Sequence, residues 1–424
     1  MVIFAFAACG DGAGGGGGGG GGDVDPILTG IDVNWAALKN FGIGEPLNSA
    51  EKVWTITATF DNSTTKTLQN NIAGISWEPV DFSATAGTNK TVTVSYKGQS
   101  FQITGINVQT LKQRIDAVGT IAIATIYLYA NETVESEIGI GTAKDITLKG
   151  MDQERFINNN CPGSIFNLTG NFKLTIDKNV TIKSIAESHN TAAIALGSGT
   201  FTMKEGSKII GHRNNGGFNR GGGAVYCVAS NNNYPSYFIM EGGEISGNSA
   251  VNEGGGIAVS NTYTSPSAEH VFFIISGGKI VNNISDNYAD DVWIGGDLPV
   301  VKVSDKAEIG NFVLWGMSIS MKPKITVASN FTGGISQLDF AIQNANLDSV
   351  ETYWTTSSIP VLSPEEGNML TKALLDRFTL GYFIQYNRPA GNPLLTRSVQ
   401  DSYHFYGTKT GEIMQADFGK LVTN

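Results

Sequence analysis

The stretch Phe201-Thr202-Met203-Lys204-Glu205-Gly206-Ser207-Lys208-Ile209 decides the fold, because the chain returns to it. Phe238-Ile239-Met240-Glu241-Gly242-Gly243-Glu244-Ile245 and Phe273-Ile274-Ile275-Ser276-Gly277-Gly278-Lys279-Ile280 repeat its apolar positions and its glycine turn. Leu174 to Ile182 and Val301 to Ile309 are weaker copies. Within a copy the apolar residues recur every second position, the period of a β-strand. Met203, Met240, Ile275 and Val303 lie 37, 35 and 28 residues apart, so fixed strands are joined by loops of variable length. This alternation predicts that these four stack inward as one column. Thr202 and Lys204, Ile239 and Glu241, Ile274 and Ser276, and Lys302 and Ser304 then face outward.

Working outward, a third short strand follows each copy: Ile194-Ala195-Leu196, Ala224-Val225-Tyr226, Ile257-Ala258-Val259 and Val292-Trp293-Ile294. Its middle residues, Ala195, Val225, Ala258 and Trp293, are expected to face outward. Three strands per repeat, each paired with its copy in the next coil at ~4.8 Å, make a right-handed parallel β-helix of the pectate-lyase-like architecture. The signatures of leucine-rich and ankyrin repeats are absent from the sequence. Thr110 to Val118 reads as a short helix with Leu111, Ile115 and Val118 on one face, and Ile121 to Leu128 as a strand, so a helix is expected to plug the first coil. After Pro323 the motif decays. Pro364 to Phe378 reads as a helix with Met369, Leu370, Ala373 and Leu374 on one face, and Phe378-Thr379-Leu380 and Tyr403 to Met414 as late strands, an irregular cap.

The register also assigns several polar residues. Asn248 and Asn283 each lie three places after the second-strand Ile, where stacked Asn side chains bond along a turn; His212 has the same offset and reads as part of that file. Gly222-Gly223 and Gly255-Gly256 fill the slot of Asp290-Asp291. Paired aspartates in a β-helix resemble those of polygalacturonases, but the Gly-His-Gly and Arg-x-Lys motifs of those enzymes are absent from the sequence, which favours a turn role. Glu253 with Asp290 and Asp291 could offer oxygens to Ca²⁺, though nothing marks the further ligands Ca²⁺ needs. The expectation is no metal and no cofactor.

Residues 26–105 are short period-2 segments, such as Thr55-Ile56-Thr57-Ala58-Thr59 and Thr91-Val92-Thr93-Val94-Ser95, separated by turn residues; they read as a small β-sandwich. Phe41-Gly42-Ile43-Gly44-Glu45-Pro46-Leu47 and Gly87 with Thr91 to Gly98 resemble the turn and last hairpin of bacterial immunoglobulin-like domains, which implies a spacer or adhesive module. Trp35, Trp54 and Trp77 read as core. Ahead of it, Phe6-Ala7-Ala8-Cys9 resembles the lipobox of bacterial lipoproteins, with Phe where Leu is usual and a short apolar segment before it. Residues 1–9 are thus read as a truncated lipoprotein signal with Cys9 as lipid anchor. Residues 10–25, with Gly14 to Gly22 unbroken, read as a flexible tether, and 106–424 as the β-helix with its C-terminal cap.

The chain has 424 residues with 28 basic against 38 acidic, net −10, which argues against nucleic acid and against an electrostatic grip on anionic lipid. Three Cys exclude a disulfide framework. Cys161 and Cys227 are expected to stay unpaired, since the register sets them two coils apart. The whole is all-β, and resembles lipid-anchored surface proteins of diderm bacteria that join immunoglobulin-like modules to a pectin-lyase-like β-helix. That resemblance implies a bacterial cell-surface or outer-membrane location and membrane contact through the lipid alone. The outward positions lack a recurring carboxylate pair for acid–base work, so the expectation is a monomeric, non-enzymatic, adhesin-like protein. Its candidate binding residues lie in two adjacent variable turns: Asn231, Asn232, Asn233, Tyr234 and Tyr237, then Tyr263 and His270. The ligand is expected to be an extracellular protein or glycan. A polysaccharide lyase or hydrolase and a purely structural spacer are the alternatives.

Overall fold

A computed structural model describes residues 25–424, apart from 36–37, 50–51, 83–85, 141–142, 217–220, 229–234, 261–269, 288, 297–298, 317–322, 343–348, 351–352, 355–360, 367, 369, 388–393, 400–402, 408–415 and 421–424. The chain divides into two compact units. One consists of the segment ending at Leu38 with Asn48–Pro79 and Thr91–Thr104; Lys39–Leu47, Val80–Lys90 and everything from Gly105 belong to the other.

In the first unit, Leu28–Asn34 pairs antiparallel with Thr55–Phe60, which pairs with Thr65–Gln69. Ile75–Glu78 pairs antiparallel with residues 93–96. Alternation sorts the faces as the sequence predicts: Trp54, Ile56 and Ala58 are buried while Thr55 and Thr57 are half-buried. Trp77 meets Trp54 edge-on, ring centroids 5.8 Å apart, so these two indoles pack on each other; Trp35 is half-buried.

The second unit is built of stacked coils. Nine successive strands, from Ile123–Leu128 to Leu362–Pro364, run parallel in one sheet, each a coil above the last. The second and third strands of each coil form two parallel arms of a second sheet, which join where Glu308–Gly316 continues both. Identical positions pair coil on coil: Phe201, Phe238, Phe273 and Val301 form one inward file, Met203, Met240, Ile275 and Val303 the next, all at most 1% exposed. Ile182, Ile209, Ile245, Ile280 and Ile309 form the second-strand file. The apolar columns fuse into one core along the coils. Parallel stacking leaves each backbone bonded above and below, and the side chains pack one per ~4.8 Å step.

The third strand of the fourth coil corrects the sequence reading. Val225, not Ala224, is the partner of Ile194 and Ile257, so Tyr226 faces outward while Val225 and Cys227 are fully buried. Ala224-Val225-Tyr226-Cys227-Val228 is apolar throughout, so alternation alone does not choose between the two registers. The glycine slot moves with it: by the strand register Gly223 aligns with Gly255 and Asp290. The slot has no room for a side chain; a Cβ on Gly223 would lie 2.0 Å from the Gly255 carbonyl oxygen.

Coils extend beyond the recognisable motif at both ends. Below it, Asp145–Gly150, Arg155–Asn159 and Phe166–Leu168 form one, and Ile123–Leu128, Glu132–Val134 and Ile138–Ile140 another. The expected helix is present as Leu111–Ala117. Thr110 caps it and exchanges bonds with Gln113, and Leu111 and Ile115 are buried against the core. The second-strand file ends beneath Ile157 in Glu132, where an unpaired carboxylate would be costly. The helix supplies its partners: Arg114 pairs with Glu132, and the Leu111 N–H donates to it at 2.6 Å. Burial nevertheless pushes this carboxyl up, against the pull of Arg114.

Above Pro323 the stacking does not decay. Lys324–Val327 and Leu362–Pro364 continue the first sheet, and Glu308–Gly316, Gly334–Ile342 and Phe378–Asn387 continue the second. Each of these long strands replaces two short ones and the turn between them, so the Gly-Gly and Asn signals vanish while the apolar alternation stays. The helix expected over Pro364 to Phe378 is only Lys372–Leu375, capped by Thr371. Pro364 still belongs to a strand, and Asn368 is a poor helix former ahead of the cap. Of the late strands, Tyr403–Gly407 falls in Tyr403 to Met414; Leu394–Val399 and Ala416–Lys420 were not anticipated.

Candidate functional site

Polar side chains form a continuous file inside the turn between second and third strands. The His212 N–H donates to Asn248 Oδ1 at 3.0 Å. Asn248 donates from N and Nδ2 to Asn283 Oδ1 at 3.0 and 2.9 Å, and Asn283 donates likewise to Asp291 Oδ1 at 2.9 and 2.8 Å. The Asn311 N–H donates to Asp291 Oδ2 at 2.8 Å, and its amide reaches Asp339 Oδ2 at 2.8 Å. The Tyr382 N–H donates to Asp339 Oδ1 at 2.7 Å. The file thus contains Asn248, Asn283 and His212 where the sequence predicts them.

Asp291 enters where the coil above has no turn residue to offer. Both its neighbours present N–H donors, which a carboxylate accepts on both oxygens and an amide does not. Burial pushes Asp291 up and these donors pull it down. Asp290 Oδ1 accepts the Ser285 N–H at 3.1 Å, and Glu253 is 2% exposed. The three acids considered for Ca²⁺ therefore include one whose two oxygens are already engaged within the turn. Among the described residues no group of three or more His, Cys, Asp and Glu is placed to hold a metal ion.

Outside, the first sheet carries Thr125, Thr147, Thr175 and Thr202 in register over four coils, followed by Ile239, Ile274 and Lys302. Three ion pairs lie on this face: Lys149 with Asp177 at 3.7 Å, Lys204 with Glu241 at 3.9 Å, and Lys302 with Glu365. Tyr237 stands on the same face. Its ring stacks on Phe272 with centroids 4.4 Å apart and planes 12° apart, beside the half-buried Ile239 and Ile274.

The two long connections end at this patch. They leave Val225–Val228 and Ile257–Ser260, and the chain re-enters the first sheet at Ser236 and Val271. The feet of the first are fastened: the Ser236 hydroxyl donates to the Val228 carbonyl at 2.8 Å, and the Gly199 N–H donates to the Pro235 carbonyl at 2.9 Å. Asn231, Asn232, Asn233, Tyr234 and Tyr263 lie outside the described residues, as does Cys9. His270 is 8% exposed, and its carbonyl accepts the Ser236 N–H at 2.8 Å. Of the candidate residues, the structure brings Tyr237 and His270 to the adjacent feet of the two connections; Phe272, which completes the stack, was missed because its partner is set by the cross-coil register, not by spacing in the chain.

The outer face of the third-strand arm is apolar instead. Ala258, Trp293, Val313, Trp315, Ala341 and Ile384 form a second buried cluster, with Tyr226 packed against it. Burial pushes the Tyr226 hydroxyl up, with Glu253 adding to the effect. Cys161 and Cys227 are buried free thiols, as the register requires, and burial pushes Cys161 up to about 11.

No family model and no curated protein matches this chain.

Proposed function

We propose that the chain is a surface-displayed, non-enzymatic interaction protein. In this reading Cys9 carries a lipid anchor, the polyglycine run tethers the folded units to it, and an immunoglobulin-like sandwich precedes a right-handed parallel β-helix. A protein or glycan is bound by the two adjacent connections of the fourth and fifth coils. The observation that carries the reading is their common base: both leave paired third strands of successive coils and re-enter the first sheet next to the stacked Tyr237 and Phe272, between strands locked into an unbroken core. Recognition on a rigid base loses less conformational entropy on binding, and Tyr, Asn and Ser are adaptable contact residues. The pairing of the outward charges across coils supports a scaffold role for that face.

The test replaces residues 229–234 and 261–269 by short Gly-Ser links and screens both proteins against extracellular-matrix proteins and glycans. The expected result is wild-type binding that the variant loses at unchanged thermal stability. Undiminished binding by the variant would move the site elsewhere, and no binding by either protein would remove the reading.

A further inference from the structure

Two histidines stack where the polar file begins. His189 and His212, each 1% exposed, place their rings 3.9 Å apart at 18°. They come from successive coils, and the backbone around them is tied across: the His189 N–H donates to the Arg213 carbonyl at 2.8 Å, and the Asn215 N–H donates back to the His189 carbonyl at 2.7 Å. His189 Nδ1 lies 2.6 Å from the Cys161 carbonyl, which only accepts, so Nδ1 carries the hydrogen. Nε2, 2.7 Å from Ser184 Oγ, is then an acceptor in the neutral ring. The same hydroxyl is 3.0 Å from the Ala186 carbonyl. One hydroxyl proton serves one of these at full strength: Nε2 when His189 is neutral, the Ala186 carbonyl when Nε2 itself carries a proton. Among the described residues the His212 ring nitrogens make no side-chain hydrogen bond; the Gly223 backbone beside the ring favours its protonated form, but burial and the neighbouring His189 outweigh it.

We propose that His189, His212 and Ser184 form an acid-sensitive latch, which clasps the turns of the third and fourth coils when both rings are neutral and loosens them on protonation. A proton taken from solvent goes to His189 Nε2, because the Ser184 oxygen can turn to accept it. A second proton on His212 would stand buried against a like charge, with only the Gly223 backbone to favour it. The groups facing the pair do not offset this. Cys161 below is an uncharged thiol, held there by burial and by Glu135 and Glu137 nearby. Lys183, Glu187 and Arg213 on the same turns are exposed, and Asn248 above is neutral. Burial lowers both rings, His212 further. The unfolded chain therefore takes up protons near the ordinary histidine value of about 6.5 while the folded chain resists. Stability is fully present above that value and is lost as pH falls below it. Asp291, three steps along the file, is shifted the other way, so its contribution is present at low pH and is lost as pH rises above the ordinary carboxyl range.

The test follows thermal unfolding of the full chain from about pH 7.5 to about pH 5, the range in which histidine changes charge. His212→Asn continues the Asn248 and Asn283 file and removes one ring. The wild type should lose melting temperature on acidification, and His212→Asn should lose less. Equal slopes would overturn the latch. Histidine-selective NMR of the folded protein gives a second reading. His189 and His212 should take up protons below the ordinary value, His189 first, and Ser184→Ala should push His189 lower still. Either ring titrating at the ordinary value, or His189 unmoved by Ser184→Ala, would also overturn it.

Discussion

The coils from residue 199 to 295 and the coils from 300 to 387 belong to one parallel stack, yet the full motif repeats only in the first group, with a single weak copy, Val301 to Ile309, in the second. In the first, second and third strands are separate, and the turn between them demands specific residues: glycine where neighbouring backbones nearly touch, and Asn or His where a side chain must bond along the file. In the second, one long strand spans both positions and the turn is gone. What they share is alternation. Apolar packing is non-directional, so Met, Ile and Val succeed one another in a column at little cost, whereas the file accepts only groups whose donors and acceptors meet. The motif encodes the turn; the alternation encodes the coil.

Substitutions at one column, one file position and one outer position separate these roles. Met240→Asp should have the largest effect. Its neighbours Met203 and Ile275 offer a carboxylate nothing, and even truncation of a buried Met typically costs ~2–5 kcal/mol. Loss of the cooperative thermal transition is expected, and a wild-type transition would mean the strand is turned over. Asn283→Ala should cost less, about 1–3 kcal/mol, because it leaves the Asn248 N–H and amide facing an empty acceptor position. Chemical denaturation measures this, and a change too small to detect would reduce the file to decoration. Glu241→Ala should lie within ~0.5 kcal/mol of wild type, since its partner Lys204 is 3.9 Å away and both are exposed. A larger loss would make the outer ion pairs a structural part of the coil.

The inward columns were legible because their period is fixed by the strand. His212 was legible for the same reason, by its offset from Ile209. His189 was not: it reaches the file from seven residues past Ile182, where the repeat places nothing. Asp291 and Asp339 likewise enter from other offsets, as replacements where the turn has been absorbed. Arg114 and Glu132 are 18 residues apart and meet only because the helix closes over the first coil. The outward Tyr226 was missed by one residue, in a run with no polar member to set the phase.

The central claim is that each coil adds one strand spacing to a single stack. Spin labels at Lys173→Cys and Lys324→Cys test it directly. Both positions are exposed on the first sheet, in one outward file through Thr200, Tyr237, Phe272 and Val300. Five steps of ~4.8 Å place them about 24 Å apart despite their separation in sequence. A narrow distribution near that distance is the predicted result of a double electron–electron resonance measurement. A broad distribution, or a mean beyond about 40 Å, would contradict the stack.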